Sequence, residues 1–229
     1  MILLLFDIDG TLLISNGVGR RSITRALSDV VGREVTSENV SFSGRTDPAI
    51  VRDMLSGSGF TGHEIDQLMP RCLERYQETL MDTISEEHIT LMPGVPDIVD
   101  RLLAIDDVQL ALVTGNLQPT AYAKLTAAKL AEHFPFGAFG SDHEIRNELP
   151  GMAMQRAHDQ GMTWVEPDRT VIIGDTEHDI GCARHAGVRA VAVATGMVTH
   201  DKLNACNPDL LLQDMSDPEL LTTYIASLR

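Results

Sequence analysis

MILLLFDIDGT, residues 1–11, places an unbroken apolar run directly before two carboxylates, Asp7 and Asp9. A strand that is apolar at every position is typical of a parallel sheet, because such strands are buried on both faces. Ligands of open α/β sheets bind at the carboxyl ends of these strands. We therefore expect Asp7 and Asp9 at a functional edge of the sheet; the alternative is a pair of solvated turn carboxylates.

Further along the chain, short β-rich runs alternate with stretches of helical periodicity. The runs cover residues 108–113, 170–173, 189–193 and 209–212. Alternation of this kind predicts a parallel sheet with helices packed on its faces. The fold class expected from the pattern is therefore α/β.

Residues 15–87 have helical patterns and no convincing strand. Asp47 followed by Pro48 is typical of a helix N-cap with proline at the first helical position. Thr61 and Glu64 have the spacing of a capping box ahead of a second helical pattern. This part of the chain is therefore expected to contain helices alone.

Composition excludes several kinds of partner. The chain has 229 residues, of which 43% are hydrophobic, and its net charge is −15. So acidic a surface repels nucleic acid and anionic membranes, and neither is expected as a partner. The N-terminal apolar run is too short to cross a membrane and lacks the basic flank and cleavage site of a signal peptide. A cytoplasmic protein is the expectation.

Polar residues also follow two other predicted strands. Thr114-Gly115-Asn116 comes after the run at 108–113, and a segment from Gly174-Asp175 to Asp179 comes after the run at 170–173. Because the carboxyl ends of parallel strands share one edge of a sheet, these residues are expected to meet Asp7 and Asp9.

With these three motifs in this order, the chain resembles the haloacid dehalogenase superfamily of phosphotransferases. Asp7-Ile8-Asp9-Gly10-Thr11 is similar to the family's nucleophile motif, Thr114 to its second motif and Gly174-Asp175 through Asp179 to its acidic fourth motif. The helical stretch resembles the cap of the phosphoglycolate phosphatase and β-phosphoglucomutase branch. The resemblance implies a Rossmann-like catalytic core over residues 1–14 and 88–229, with helices on both faces of the sheet, and an inserted all-helical cap domain over residues 15–87.

The two leading carboxylates suit different chemical roles. A carboxylate can attack phosphorus to form an aspartyl-phosphate, which divides one difficult displacement into two easier ones. Asp7, the first residue after the strand, is the expected nucleophile. The leaving alkoxide needs a proton and the attacking water must lose one, so Asp9 can serve as acid and then as base. The turn at Gly10 must direct Asp9 toward the substrate.

Carboxylates beside a phosphate dianion call for a hard cation, and Mg²⁺ is typically held by few carboxylates plus waters and phosphate oxygens. Asp7 and Asp175 are the expected side-chain ligands. The resemblance implies that the backbone carbonyl of Asp9 completes the protein ligands, with Asp179 in or just behind that shell. For Asp175 and Asp179 alone, the alternative is a pair of favourable charges at a helix N-terminus.

Phosphate oxygens are expected to contact the Thr114 hydroxyl and the amides of Gly115 and Asn116, since glycine permits close approach. Taken alone, Thr-Gly-Asn is an ordinary turn. Within the cap, Arg45 lies in a connection between helices and is expected to hold a second anionic or polar group of the substrate. A solvated loop arginine is the alternative.

The third motif departs from the family pattern. Most members have a lysine before the helix that leads to the fourth motif, whereas the lysines of this chain are Lys124, Lys129 and Lys202. In that place the residue with a permanent positive charge is Arg146. The planar guanidinium of arginine binds oxyanions through two parallel hydrogen bonds. We expect Arg146 to take the role of the lysine; the alternative is a surface arginine paired with Glu144 or Glu148.

These residues predict a Mg²⁺-dependent phosphatase that acts on small phosphorylated metabolites, similar to phosphoglycolate or sugar phosphates, through an aspartyl-phosphate. A sugar phosphomutase remains an alternative, because it shares these residues and differs in how the cap excludes water. An alternative of another class is a phospho-acceptor or binding module without turnover. Asp9 argues against it, since a stable phospho-signal has no use for a base that hastens its hydrolysis.

Overall fold

The computed structural model describes residues 1–228. Its strands are β1 (Ile2–Phe6), β2 (Leu13–Ile14), β3 (Thr90–Leu91), β4 (Val108–Thr114), β5 (Gly137–Phe139), β6 (Thr170–Gly174), β7 (Arg189–Val193) and β8 (Leu210–Leu212). Its α-helices are α1 (Val18–Val31), α2 (Asp47–Gly57), α3 (Gly62–Thr83), α4 (Val95–Leu103), α5 (Gln118–Ala127), α6 (Leu149–Asp159), α7 (Glu177–Ala186), α8 (His200–Ala205) and α9 (Pro218–Ser227). The described residues contain no helix long and apolar enough to cross a membrane.

Six strands form one parallel sheet in the order β5-β4-β1-β6-β7-β8. β1 lies near the middle, with β4 on one side and β6 on the other, so the ends of these three strands are neighbours. The strand order changes direction at β1, and such a switch point opens a crevice at the carboxyl edge. The predicted α/β, Rossmann-like class is confirmed.

The side chains of β1 divide between two apolar cores. Leu4 and Phe6 pack on the face covered by α4, α5 and α9, whereas Leu3 and Leu5 pack on the face covered by α6 and α7. Successive side chains of a strand point to opposite faces, so a continuous apolar run matches a strand covered on both sides.

Helices α1, α2 and α3 form the cap around a third apolar core, and this core includes Leu27, Met54 and Leu80. The predicted capping box is present at the start of α3, where Glu64 accepts the Thr61 amide at 2.8 Å. The predicted N-cap of α2 is wrong by one residue. Thr46 is the N-cap, because its hydroxyl accepts the Ala49 amide and leaves Asp47 inside the helix.

Two connections join the cap to the core, and they pair with each other. β2 lies just before the cap and β3 just after it, and the two strands form an antiparallel ribbon. The sequence did not predict β2, β3 or β5, because strands of two or three residues are too short for a periodic pattern. The division at residues 14/15 and 87/88 stays a prediction.

The start of α2 also contacts the core. Arg52 of α2 pairs through Nε and Nη2 with the two carboxylate oxygens of Glu144, at 2.6 and 3.0 Å. The Thr46 hydroxyl donates to the Glu144 carbonyl at 2.7 Å, and the Leu117 amide donates to the Asp47 carboxylate at 2.8 Å. The N-terminal turn of α2 is therefore held against two loops at the carboxyl edge of the sheet.

Candidate active site

The acidic turn after β1 begins as a continuation of the strand. Asp7 is buried, and its amide donates to the Ile173 carbonyl at 3.0 Å, so its backbone still pairs with β6. The alternation of the strand places its side chain on the same face as Leu5. Gly10 then takes φ 89°, and a Cβ there would overlap the Asp175 carboxylate. Both the backbone conformation and the close approach require glycine.

Asp7 belongs to a buried acidic cluster with Asp175 and Asp179, in which one carboxylate oxygen of each lies within 4.8 Å of the others. Asp175 follows β6 and accepts the Thr11 hydroxyl at 3.1 Å. Asp179 lies in the first turn of α7, where it accepts the Thr176 amide at 3.0 Å in a capping box. Asp179 therefore has both of the roles considered from the sequence. One of its oxygens caps the N-terminus of α7, and the other faces the acidic cluster.

Burial and neighbouring charges oppose the ionisation of two carboxylates of this cluster, Asp7 and Asp175. Burial raises the pKa of Asp7, and the charges of Asp179 and Asp9 raise it further, while Arg146 lowers it. Burial also raises the pKa of Asp175, with the charges of Asp179 and Asp7 adding to the effect. Three hard oxygen donors gathered in a buried space fit the ligand preference of Mg²⁺.

Arg146 is the cation of this cluster. Its Nη2 lies 3.1 Å from Asp7 Oδ2 and also contacts Asp179 Oδ1. The side chain is 8% exposed, so Arg146 is not a surface arginine, and Glu144 is paired with Arg52 instead. Burial lowers the pKa of Arg146, but the carboxylates of Asp179 and Asp7 raise it above its ordinary value. The guanidinium is therefore charged beside the predicted nucleophile.

Asp9 faces away from this cluster and has different partners. Its carboxylate accepts Lys124 Nζ at 2.6 and 2.8 Å and Asn116 Nδ2 at 2.7 Å. Its side chain is 41% exposed, whereas that of Lys124 is 4% exposed. Asp7 and Asp9 are thus separated in environment, one in the acidic cluster and the other on the cap side.

The second motif ends β4, the strand paired with β1, and two of its residues have contacts that the sequence did not predict. Thr114 is fully buried, and its hydroxyl accepts Asn116 Nδ2 at 2.8 Å. The side chain of Asn116 is therefore shared by Thr114, Asp9 and Lys124. At Gly115 the close neighbour is the cap backbone: a Cβ would overlap the Arg45 carbonyl, and the Gly115 carbonyl accepts the Asp47 amide at 2.7 Å.

Arg45 does not extend toward the acidic cluster. Its Nη2 pairs with Asp53 of α2 at 2.8 Å, and both side chains are partly exposed. Asp53 belongs to α2, which begins two residues after Arg45, so the guanidinium has a local partner. Its predicted role in substrate binding stays a prediction.

Sequence reasoning missed Lys124, which reaches Asp9 from helix α5. A helical signal was present: Lys124 follows Thr120 by four residues and Ala121 by three, and both of those residues are buried. This spacing places Lys124 on the inner face of α5. A lysine at such a position must be paired when buried, which marks it as a possible site residue.

The family is established by the sequence as a whole. The profile of the haloacid dehalogenase-like hydrolases matches residues 4–193. This match covers most of the chain, and the protein therefore belongs to the haloacid dehalogenase-like hydrolases. The family resemblance and the hydrolase class predicted from the motifs are confirmed.

The similar proteins include a phosphoglycolate phosphatase and a β-phosphoglucomutase, the two kinds named in the sequence resemblance. The chain is 24% identical to pyrophosphatase PpaX of Oceanobacillus iheyensis, over 93% of each chain. It is 26% identical to a phosphoglycolate phosphatase of Pseudomonas putida, over 93% of this chain and 76% of the other. A β-phosphoglucomutase structure from Clostridium difficile has a TM-score of 0.72 at 18% identity, over 100% of this chain and 97% of that one, and shares the fold.

Proposed function

We propose that this protein is a Mg²⁺-dependent phosphatase that hydrolyses small phosphate monoesters through an aspartyl-phosphate on Asp7. The observation that carries the proposal is the different surroundings of the two carboxylates at the end of β1. Asp7 lies beside Asp175, Asp179 and Arg146, where a phosphoryl group can be bound. Asp9 lies outside that cluster, where its carboxylate pairs with Lys124 of α5. A displacement needs a nucleophile and a proton donor on opposite sides of the phosphorus.

In the first step, an Asp7 carboxylate oxygen attacks phosphorus, and the bond from phosphorus to the ester oxygen breaks. The Arg146 guanidinium, 3.1 Å from Asp7, offsets the charge of the incoming phosphoryl oxygens. In this proposal Thr114, which ends the neighbouring strand β4, contacts one of those oxygens. Its hydroxyl already accepts from Asn116, so its proton is directed elsewhere.

Asp9 moves the protons of both steps. Its carboxylic acid donates a proton to the leaving oxygen, which departs as an alcohol, and Asp9 becomes a carboxylate. In the second step this carboxylate takes a proton from water as the water oxygen attacks the aspartyl-phosphate. Inorganic phosphate is released, Asp7 is regenerated and Asp9 is again protonated.

Asp7, Asp175 and Asp179 would hold Mg²⁺, with the Asp9 backbone carbonyl as a further ligand that the family resemblance implies. Mg²⁺ bound there supplies positive charge that offsets the repulsion between the carboxylates and the phosphate. The fit rests on the donor set, which consists of buried carboxylate oxygens alone. Arg146 adds a fixed positive charge to the same space.

Gly19 of the cap helix α1 lies close to polar groups on the Asp9 side of the site. A Cβ built on Gly19 would be in van der Waals contact with Lys124 Nζ and Ser15 Oγ, at 3.8 Å, and with Tyr76 Oη, at 3.9 Å. The leaving group that we propose is short and polar, as in phosphoglycolate or a sugar phosphate, and the phosphoglycolate phosphatase among the similar proteins supports this class.

The test is phosphate release from a panel of esters, with and without Mg²⁺, by wild type and Asp7→Asn. The panel contains 2-phosphoglycolate, hexose phosphates, p-nitrophenyl phosphate and, because one similar protein is a pyrophosphatase, pyrophosphate. We expect Mg²⁺-dependent release by wild type and none above background by Asp7→Asn. Phosphate release by a folded Asp7→Asn variant would contradict the assignment of Asp7 as the nucleophile. Transfer of phosphate between sugar hydroxyls without release would favour the phosphomutase, and a stable phospho-Asp7 would favour the phospho-acceptor.

A further inference from the structure

Lys124, Asn116 and Asp9 form a closed set of hydrogen bonds. Lys124 Nζ donates to Asp9 Oδ2 at 2.6 Å and to Asn116 Oδ1 at 2.6 Å. Asn116 Nδ2 donates to Asp9 Oδ2 at 2.7 Å. Each member therefore contacts the other two, and the Asp9 carboxylate is held from the side of α5.

Lys124 lies on a well-supported helix, whereas Asp9, which it contacts, lies in a turn. Lys124 is buried on α5, whose neighbouring residues Ala121 and Leu125 belong to the apolar core of the sheet. The start of α5 is tied down as well, because the Leu117 amide donates to Asp47 and the Gln118 amide donates to Ser141 Oγ. Asp9, by contrast, lies in a turn. Groups supported by helices hold a reactive geometry more precisely than groups on loops alone.

A buried ammonium requires a charged partner. The partner of Lys124 is Asp9, the carboxylate that transfers protons in the proposed function. Proton transfer requires the acid to lie within hydrogen-bond reach of the leaving oxygen, and small misplacements are costly. Because both oxygens of Asp9 contact Nζ, the orientation of its carboxylate depends on Lys124.

We propose that Lys124 is a positioning residue that orients Asp9 for protonation of the leaving oxygen. The inference rests on the proposed function, since it acts through the acid–base role of Asp9. Lys124 itself transfers no proton and forms no bond to the substrate. The side chain of Asn116 supports the same arrangement from the second motif, in addition to the phosphate binding expected of its backbone amide.

The dependence on the leaving group tests this role. An alkyl ester needs a proton on its leaving oxygen, whereas p-nitrophenolate departs without one. The readout is kcat/KM, because it covers the steps up to departure of the alcohol and excludes hydrolysis of the aspartyl-phosphate. The probes are p-nitrophenyl phosphate and 2-phosphoglycolate, or the alkyl phosphate of the panel that wild type hydrolyses fastest.

For Lys124→Met we expect kcat/KM to fall about 100-fold with the alkyl ester, the scale of general acid catalysis, and less than about threefold with p-nitrophenyl phosphate. Lys124→Gln keeps a hydrogen-bond donor, so its kcat/KM should fall less, but again more with the alkyl ester than with p-nitrophenyl phosphate. This variant replaces Lys124→Met if the latter does not fold. Lys129→Met is the matched control: Lys129 is 72% exposed and pairs with Glu86 at 2.6 Å. It should match wild type with both esters.

Asp9→Asn separates failure of this inference from failure of the proposed function. Suppose that kcat/KM of Asp9→Asn falls selectively with the alkyl ester, but that of the folded Lys124 variants does not. Lys124 then has no positioning role. Equal losses with both esters in the Lys124 variants would also overturn it, since they indicate a general structural effect. If Asp9→Asn lowers kcat/KM equally with the two esters, Asp9 does not act as the acid, and that part of the proposed function is wrong.

Discussion

Arg146 Nη2 lies 3.1 Å from Asp7 Oδ2, although the two residues come from the 3₁₀ turn before α6 and from the end of β1. This contact places a permanent positive charge at the site where the family pattern has a lysine. Since a guanidinium stays ionised under ordinary conditions, the charge beside Asp7 does not depend on pH.

Removing Arg146 should slow turnover. For Arg146→Ala we expect a loss of about 2 kcal/mol or more of transition-state stabilisation, or about 30-fold in kcat/KM, as for other fixed electrostatic groups. Arg146→Lys should lose less, because it keeps the charge without the planar fork. Arg101→Ala is the control, since Arg101 is exposed and pairs with Asp97 and Glu219. Unchanged kcat/KM in folded Arg146→Ala would contradict the role.

Asp175→Asn should weaken Mg²⁺ binding. One buried carboxylate of the cluster becomes neutral, and we expect the half-saturating Mg²⁺ concentration for phosphate release to rise at least about tenfold. A second readout needs no substrate: Mg²⁺ should raise the Tm of wild type and raise that of Asp175→Asn less at the same concentration. Asp168→Asn, at an exposed carboxylate, should behave as wild type. Equal Mg²⁺ responses in all three proteins would remove Asp175 from the ligand set.

Asp47 should make stability depend on pH. Burial raises the pKa of Asp47 to about 6, although Lys124 lowers it; the charge of Asp9 raises it further. Because the folded-state pKa lies above the unfolded value of about 3.9, the native state binds this proton more tightly. The contribution of Asp47 to stability is therefore full below about pH 4, falls as the pH rises through 6 and is constant above.

Asp47→Asn keeps an oxygen for the Leu117 amide and removes the ionisation. Its free energy of unfolding should fall less than that of wild type between pH 4.5 and pH 7.5, by about 2 kcal/mol. Urea unfolding at the two pH values measures the difference, with Asp201→Asn, at an exposed position, as control. Identical pH dependence in wild type and Asp47→Asn would show that Asp47 does not titrate in this range.

Gly10→Ala should destabilise the protein. The backbone at Gly10 has φ 89°, and the added Cβ would overlap the Asp175 carboxylate. We expect a loss of at least about 1–3 kcal/mol in the free energy of unfolding, together with lower activity. Gly62→Ala is the contrast, because Gly62 begins α3 and a Cβ there would meet nothing within 4 Å. That variant should match wild type or gain stability, and equal stability of Gly10→Ala would refute the strain argument.

The sequence by itself determined the class of fold and the edge that carries the site. Unbroken apolar runs required strands covered on both faces, and acids placed directly after β1 and β6 had to meet because parallel strands end at one edge. The Thr61 capping box was equally readable, since its partners are three residues apart. Such features depend on local periodicity and spacing, which a single sequence displays.

Only the tertiary structure decided which side chains pair across that edge. Lys124 reaches Asp9 because of the rotation of α5 against the sheet, and Arg146 is buried because its turn lies beneath α7. Arg45 turned to Asp53 instead, and Asp47 became a buried contact with α5. These outcomes depend on how the cap seats against the core. They are decided by packing and by the need to pair buried charges between residues distant in the chain.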